Sequence, residues 1–246
     1  MSYITSAQNT LIKHALKLQK EASYRQEHGS LFLEGKKLVL EALDKGTVLQ
    51  LFIKEGADIQ CSCEVNFLKE HLVDKLSTLR SPEGYFAEVK RPKNASLGEE
   101  KRLLVLDGIQ DPGNMGTLIR TALAFGFEGI FIREGSVDPY SPKVLRASMG
   151  ASLYIPIQIG TDEEFIEIAE KNSLRIYIAD AQGSSIEKTL IQTPFMLVLG
   201  NESNGSLLKN NAEYTQISLP ISQIDSLNVA VAGSLLMYLL RGVNEN

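Results

Sequence analysis

Cysteine is scarce in this sequence, and a long apolar run is missing. The only two cysteines, Cys61 and Cys63, form a single C-x-C with no second ligand pair nearby. Structural zinc uses other spacings, so reduced thiols and no metal site are expected. No stretch approaches the roughly 18 apolar residues that span a membrane. The opening MSYITSAQNTLIKHALKLQK lacks the uninterrupted apolar core of a signal peptide, which makes a cytoplasmic location the expectation. Positive charge is also short, with 25 Lys+Arg against 30 Asp+Glu and a net charge of −5, a poor match to a nucleic-acid binder taken whole. What is present is 246 residues at 43% apolar content, enough core for one large domain or two modest ones.

Divided at residue 98, the two parts differ in sign. Residues 1–98 carry 14 Lys+Arg against 12 Asp+Glu, a balance of +2, and all three histidines; residues 99–246 carry 11 against 18, a balance of −7. Contact with phosphates is therefore expected to begin on the amino-terminal part, although scattered surface charge often only solvates. The polar segment RPKNASLGEE, Arg91 to Glu100, separates two regions with their own apolar patterns and reads as a linker. Domains at 1–93 and 101–246, joined by 94–100, are expected.

In the first domain, Leu11, Ile12, Ala15, Leu16 and Leu18 recur at helical spacing. A strand at 31–33, a helix at 38–43, a strand at 48–53, a helix near 65–73 and a strand at 85–89 complete a small α/β unit. In the second, apolar runs at 103–107, 129–133, 153–159, 174–180 and 195–200 alternate with helical patterns at 115–125, 141–149 and 162–171. That alternation predicts a mostly parallel sheet with helices on both faces. The last helix, 227–240, is apolar nearly all round and should be deeply buried, partly against another subunit.

Three stretches carry candidate chemistry. LVLDGIQDPGNMGTLIRTALAFGF, 104–127, is a strand, a glycine- and proline-bearing loop with Asn114, and a helix whose first amides favour an anion. It is neither a P-loop nor G-x-G-x-x-G, so those cofactor readings fail. Arg120 in that helix is either paired with an acid such as Asp107 or aimed at a phosphate. LVLGNESNGS, 197–206, empties a buried strand into a loop with Gly200, Glu202 and Gly205, where α/β folds bind ligands. ISLPISQIDSLNVAVAGSLLMYLL, 217–240, is a strand, a proline-containing loop and a helix for which Ser226 is the expected N-cap, with Asn228 close behind. Between them, SPKVLRASMG is a self-contained helix with Lys143 and Arg146 on one face, either solvated or gripping a phosphate.

Taken in this order, at the ends of successive strands, the three stretches resemble the SpoU or TrmH branch of the SPOUT RNA methyltransferases. Their motifs are N-x-G-x-x-x-R, G-N-E-x-x-G and I-P-M followed by S-L-N-V. The resemblance spans residues 104–240. Ser203 stands where glycine is usual, LPI replaces IPM, and the span from Pro220 to Ser226 is one residue short, all in the expected cofactor loops. The amino-terminal part resembles the ribosomal-protein-like RNA-binding domain of many members, through S-x-x-N-x-x-I-K and F-L-E-G-x-K-L-V-x-E-A at 32–42.

The resemblance implies a trefoil-knotted α/β domain, a rare exception to the rule against knots, working as a homodimer. It implies S-adenosylmethionine as cofactor, held by Leu199, Gly200, Gly205, Leu219, Ile221 and Leu227, with no metal. A ribose 2′-hydroxyl of RNA would attack the sulfonium methyl in line, so the protein chiefly aligns reactants and helps the hydroxyl lose its proton. Arg120 is central in the family, in some accounts as a general base. A protonated guanidinium cannot accept a proton, so binding of the neighbouring phosphate and stabilisation of the developing alkoxide fit better. Asn114 would position Arg120 or the ribose, Glu202 would order its loop and contact Asn114 or Arg120, and Ser226 with Asn228 would orient the substrate or the arginine. The discrete first domain points to ribosomal RNA. A tRNA 2′-O-methyltransferase, a noncatalytic ribosome-assembly factor and an enzyme of antibiotic resistance are the alternatives.

Overall fold

The computed structural model describes residues 2–61, 63–201, 206, 208, 211 and 213–242. They form two compact units. One runs to Pro92 and includes Tyr140–Arg146; the other takes Lys93–Pro139 and the chain from Ala147 on. Among the described residues, no helix is long and apolar enough to cross a membrane.

The first unit contains β1 (Ser2–Ile4), α1 (Thr10–Lys20), α2 (Ala22–His28), β2 (Ser30–Glu34), α3 (Lys36–Asp44), β3 (Val48–Lys54), β4 (Val65–Leu68), α4 (Glu70–Leu76) and β5 (Tyr85–Lys90). Its sheet runs β1-β4-β3-β5-β2, parallel where β4 meets β1 and β3, antiparallel where β5 meets β2 and β3. Asn9 starts α1 by accepting the Leu11 amide at 2.8 Å. Ile12, Ala15 and Leu18 then fall on one face, against Phe32, Phe52 and Phe86 of the sheet and Leu72, Val73 and Leu76 of α4. Each such leucine removed from water contributes about 2 kcal/mol.

The helix expected near 65–73 is a strand followed by a helix. Val65–Leu68 pairs with a strand on each side, and Asn66 donates through Nδ2 to Leu51 O at 3.1 Å. Two ladders outweigh the local helical pattern. The short β1 and α2 went unread in the sequence, being three and seven residues long. On the loop before β4, the two cysteine sulfurs lie 3.3 Å apart as free thiols. Burial and the neighbouring Cys61 push the Cys63 thiol up to about 11.

The second unit is built on six parallel strands. In chain order come β6 (Arg102–Leu106), α5 (Pro112–Ala124) and β7 (Gly129–Arg133), then α6 (Pro142–Ala147), whose residues through Arg146 belong to the first unit, and β8 (Ile157–Gly160), α7 (Asp162–Lys171), β9 (Arg175–Ser185), β10 (Phe195–Leu199), β11 (Thr215–Ser218) and α8 (Val229–Leu240). The order β11-β9-β10-β6-β7-β8 is parallel at every pairing. Leu103, Val105, Met196 and Val198 point to the face covered by Phe165, Ile168 and Ala169 of α7. The alternate residues Leu104, Leu106, Leu197 and Leu199 are also buried, because α5 and α8 pack together over the opposite face. Burial on both faces explains why these strands read as continuous apolar runs.

Two expectations shift. The strand expected at 153–159 begins at Ile157, because Ala151–Leu153 close a short 3₁₀ turn and Pro156 has no amide for a ladder. Residues 94–100, expected as a linker, lie along β8: Ala95 N donates to Ile157 O at 2.8 Å, Asn94 exchanges two bonds with Ile159, and Leu97 is buried.

Gly116 explains the glycine of N-x-G-x-x-x-R in packing terms. A Cβ there would meet Ala147 Cβ at 2.4 Å and Ser148 N at 2.7 Å, and backbone cannot swing aside. Gly116→Ala should therefore lower stability by about 2 kcal/mol in urea unfolding, although alanine is the better helix former. An unchanged or raised midpoint would show that α5 can back away.

Candidate active site

The chain leaves β6 for β7 and β8 on one side, then returns to β9 and β10 on the other, so the sheet order reverses between β6 and β10. In open parallel sheets, ligands bind beyond the carboxyl ends of the strands at such a reversal. Asp107, Gly108 and Asp111 follow β6 there, and Gly200 and Asn201 follow β10. The two ends are stitched together: Asp107 N donates to Leu199 O at 2.9 Å, and Asn201 Nδ2 donates to Gly108 O at 3.0 Å. Gly108 takes a φ of +73°, a backbone conformation that would strain other residues.

Beneath this loop pair sits a buried charge. The Asp107 side chain is paired through Oδ1 with Arg133, at the end of β7, and accepts from Ser206 Oγ through Oδ2 at 2.7 Å. Arg133 also pairs with Asp162, which opens α7. Burial alone would pull the Arg133 guanidinium down, but its bonds to Asp162 and Asp107 leave it raised, so it stays charged. The sequence offered Asp107 as a structural partner for Arg120. The structure gives it to Arg133 instead, because residues at the ends of adjacent parallel strands lie side by side, whereas Arg120 is well along α5.

Asp111 caps α5 by accepting the Asn114 amide at 2.8 Å, and Pro112 occupies the first turn, where no amide is needed. Asn228 caps α8, its Oδ1 accepting from Ala230 N at 2.9 Å and Val231 N at 3.3 Å. Its Nδ2 donates to Asn114 Oδ1 at 3.1 Å. One side chain thus starts the last helix and ties the third motif to the first, across 114 positions of sequence.

The SpoU rRNA methylase family model matches residues 101–238, from β6 into the last turn of α8. The chain belongs to that family. It is 30% identical to the 23S rRNA (guanosine(2553)-2'-O)-methyltransferase RlmP of Bacillus subtilis, over 98% of this chain and 100% of that one. An AdoMet-bound rRNA methyltransferase from Sinorhizobium meliloti superposes with a TM-score of 0.84 at 26% identity, over 97% of both chains. A structure described for the 2-OH methylation of C/U34 on tRNA, 26% identical, reaches a TM-score of 0.50 over 58% of this chain and 95% of that chain.

Among the family-motif residues, the structure brings together Asn114 and Asn228. Arg120 is on the same face of α5 as Gly113 and Thr117, exposed, and without an ion pair or hydrogen bond among the described residues. Six positions of helix put it about 9 Å along the axis from Asn114 and about a third of a turn away. Ser226 is exposed and is not the N-cap: the helix starts at Val229, so Asn228 is next to it and Ser226 is too early to reach the first amides. Glu202 and Gly205 lie outside the described residues. Leu199 and Gly200 are buried at the end of β10, Leu219 and Leu227 are half-buried, and Ile221 is 39% exposed.

Sequence reasoning missed Arg133, Ser206 and Asn201. The signal was there for Arg133, a charge ending the apolar run GIFIR. Within the first unit, Arg146 is paired with Glu34 at 3.4 Å and donates to Thr78 Oγ1, while Lys143 is exposed. Glu34 also accepts from Thr78 N at 3.0 Å. The pair is thus no uniform phosphate grip: one member is engaged and one faces solvent.

Arg133→Leu leaves the Asp107 carboxylate buried without its counterion and should cost about 3 kcal/mol or more. Adding Asp107→Asn should recover part of that loss. A double-mutant cycle in urea measures it, and strictly additive losses would mean the two side chains are not coupled.

Proposed function

We propose that this chain transfers a methyl group from S-adenosylmethionine to a ribose 2′-hydroxyl of ribosomal RNA. The observation that carries this reading is the Asn228–Asn114 bond, which joins the first and third family motifs beyond the point where the sheet order reverses. Ribosomal RNA is favoured over tRNA because the relatives matching both units include enzymes named for ribosomal RNA. The tRNA-related structure matches only 58% of the chain.

Residues 219–227 suit the cofactor. They offer Leu219, Ile221, Ile224 and Leu227 at least partly exposed, and no backbone hydrogen bond ties them to the rest of the described chain. An adenine ring needs that combination of apolar flanks and open backbone edges. Leu199 at the end of β10 and Gly200 just after it, with Gly205, complete the set assigned to it. When bound, S-adenosylmethionine supplies a methyl group already activated on a sulfonium.

The residues of the chain then align and neutralise. Arg120 binds the phosphate next to the target ribose and stabilises negative charge developing on the hydroxyl oxygen. Its exposure and its lack of an ion-pair partner among the described residues support that role. Asn114 and Asn228 hold each other, and with them the starts of α5 and α8. Glu202 orders the second-motif loop, and Ser226 orients the substrate.

The same proposal includes the knot and the dimer. After β11, at the sheet edge, the chain returns to lay α8 on α5, the back-crossing that a knot requires. Val231, Leu235, Tyr238 and Leu239 recur along one side of α8, each nearly half exposed, and Leu123 of α5 is 41% exposed. A second copy would cover that stripe. The first unit binds the RNA substrate.

With labelled S-adenosylmethionine, the protein should place alkali-resistant label in unmodified ribosomal RNA and not in tRNA. Arg120→Ala should reduce the rate at least a hundredfold with cofactor affinity unchanged. Arg120→Lys should lower the rate without changing the shape of its pH profile; loss of a basic limb would make Arg120 the base. Label in tRNA alone would overturn the substrate.

The chain should run at twice its monomer mass at micromolar concentration, and Leu235→Glu with Leu239→Glu should halve that mass. A monomeric wild type would overturn the dimer.

A further inference from the structure

The outer face of α1 carries a feature that neither folding nor the methyl-transfer site uses. Lys13, Lys17 and Lys20 are exposed and fall within about 60° of one another around the helix, opposite the buried Ile12, Ala15 and Leu18. No acidic residue occurs in α1, and among the described residues none of the three lysines has an ion pair. Two other lysines of the same unit are matched, Lys54 with Glu70 and Lys69 with Glu55, each at 2.6 Å.

Lys17 and Lys20, in the last turn, complement the negative end of the helix dipole, which suffices to explain them. Lys13 has no such reason. It sits near the positive end, where a cation is disfavoured and no first-turn acid offsets it.

Beside this stripe is an aromatic pile. Lys17 Nζ lies 5.1 Å from the centroid of Tyr24, and that ring meets His14 edge-on at 5.5 Å and stacks on His28 at 3.9 Å. His28 donates through Nδ1 to Tyr24 O at 3.1 Å, which fixes its ring, and it is exposed. Tyr24 is anchored in turn: its hydroxyl lies 2.9 Å from His14 Nδ1, and His14 Nε2 donates to the buried Glu88 at 3.0 Å. The nearby acids are Glu88, engaged with His14, and the exposed Glu21 and Glu27 of the α2 segment.

Evenly spaced ammonium groups next to the open end of a stack match a chain that alternates phosphate and base. An acidic peptide would use the lysines and leave the ring idle. We infer that the Lys13–Lys17–Lys20 stripe with the His28 ring is a docking surface for a single-stranded segment of RNA, the phosphates on the lysines and a base on His28. This rests on the reading of RNA as substrate.

The test uses the full chain and a fluorescein-labelled mixed-sequence 20-nucleotide RNA, with anisotropy followed across a salt series. Lys13→Gln/Lys17→Gln/Lys20→Gln should weaken binding at least tenfold at about 0.1 M salt and reduce the salt slope by about 2, since each contact to a single strand releases about 0.7 counterion. His28→Ala should weaken binding severalfold with the slope unchanged, because stacking releases no ions. Lys54→Gln/Lys69→Gln should leave both at wild-type values, and S-adenosylmethionine affinity should be the same in every variant.

Equal losses in the triple and the control variants would overturn the inference, as would competition by polyglutamate as strong as by RNA. A wild type that methylates ribosomal RNA while the triple variant binds and reacts identically would sink the surface and spare the proposed function. A wild type that neither binds the probe nor methylates would sink both.

Discussion

A carboxylate buried at the end of a strand must find a partner or it costs the fold several kcal/mol, and the described residues give Asp107 both a cation and a hydroxyl. Arg133 neutralises it from the neighbouring strand, while Ser206 donates to its second oxygen. Because Arg133 reaches on to Asp162, one chain of charge joins the ends of β6 and β7 to the start of α7. The backbone of Asp107 is tied in addition to β10 through Leu199. The loops that carry the first and second family motifs leave from the ends of β6 and β10, so this network sets their starting points.

Above that network the site is assembled by helix caps. Asp111 and Asn228 each satisfy amides that a helix start leaves open, and each does so beside a motif residue. Asn228 has an amide group with two ends: its oxygen caps α8 and its nitrogen holds Asn114. A serine or aspartate would cap α8 equally well but would have no N–H₂ to offer Asn114. The choice of asparagine at this cap therefore belongs to the site as much as to the helix. Arg120 is different in kind, an exposed cation on a helix that is rigidly placed by Gly116 packing beneath it.

The parallel sheet was legible because strands buried on both faces carry unbroken apolar runs, LLVL and FMLVL among them. Helix α7 was legible from end to end because Thr161 and Glu164 form a capping box that marks its start. The reading failed where tertiary pairing overruled local pattern. Val65–Leu68 looks helical beside Leu72 and Val73 but lies between two strands. Ser226 looks like a cap, but Asn228 holds the position. Arg120 and Asp107 are plausible partners along the chain, and neither helix period nor spacing reveals that Arg133 stands nearer.

The sequence by itself determined the class of fold and the family. Burial demands apolar runs, and loops demand glycine and proline, so both leave a local mark on the chain. Tertiary structure alone decided who touches whom: Asn114 with Asn228, Asp107 with Arg133, Arg146 with Glu34. Those pairs join residues from 26 to 114 positions apart. Their meeting depends on strand order and helix placement, which are set by the packing of the whole unit and leave no local mark on either partner.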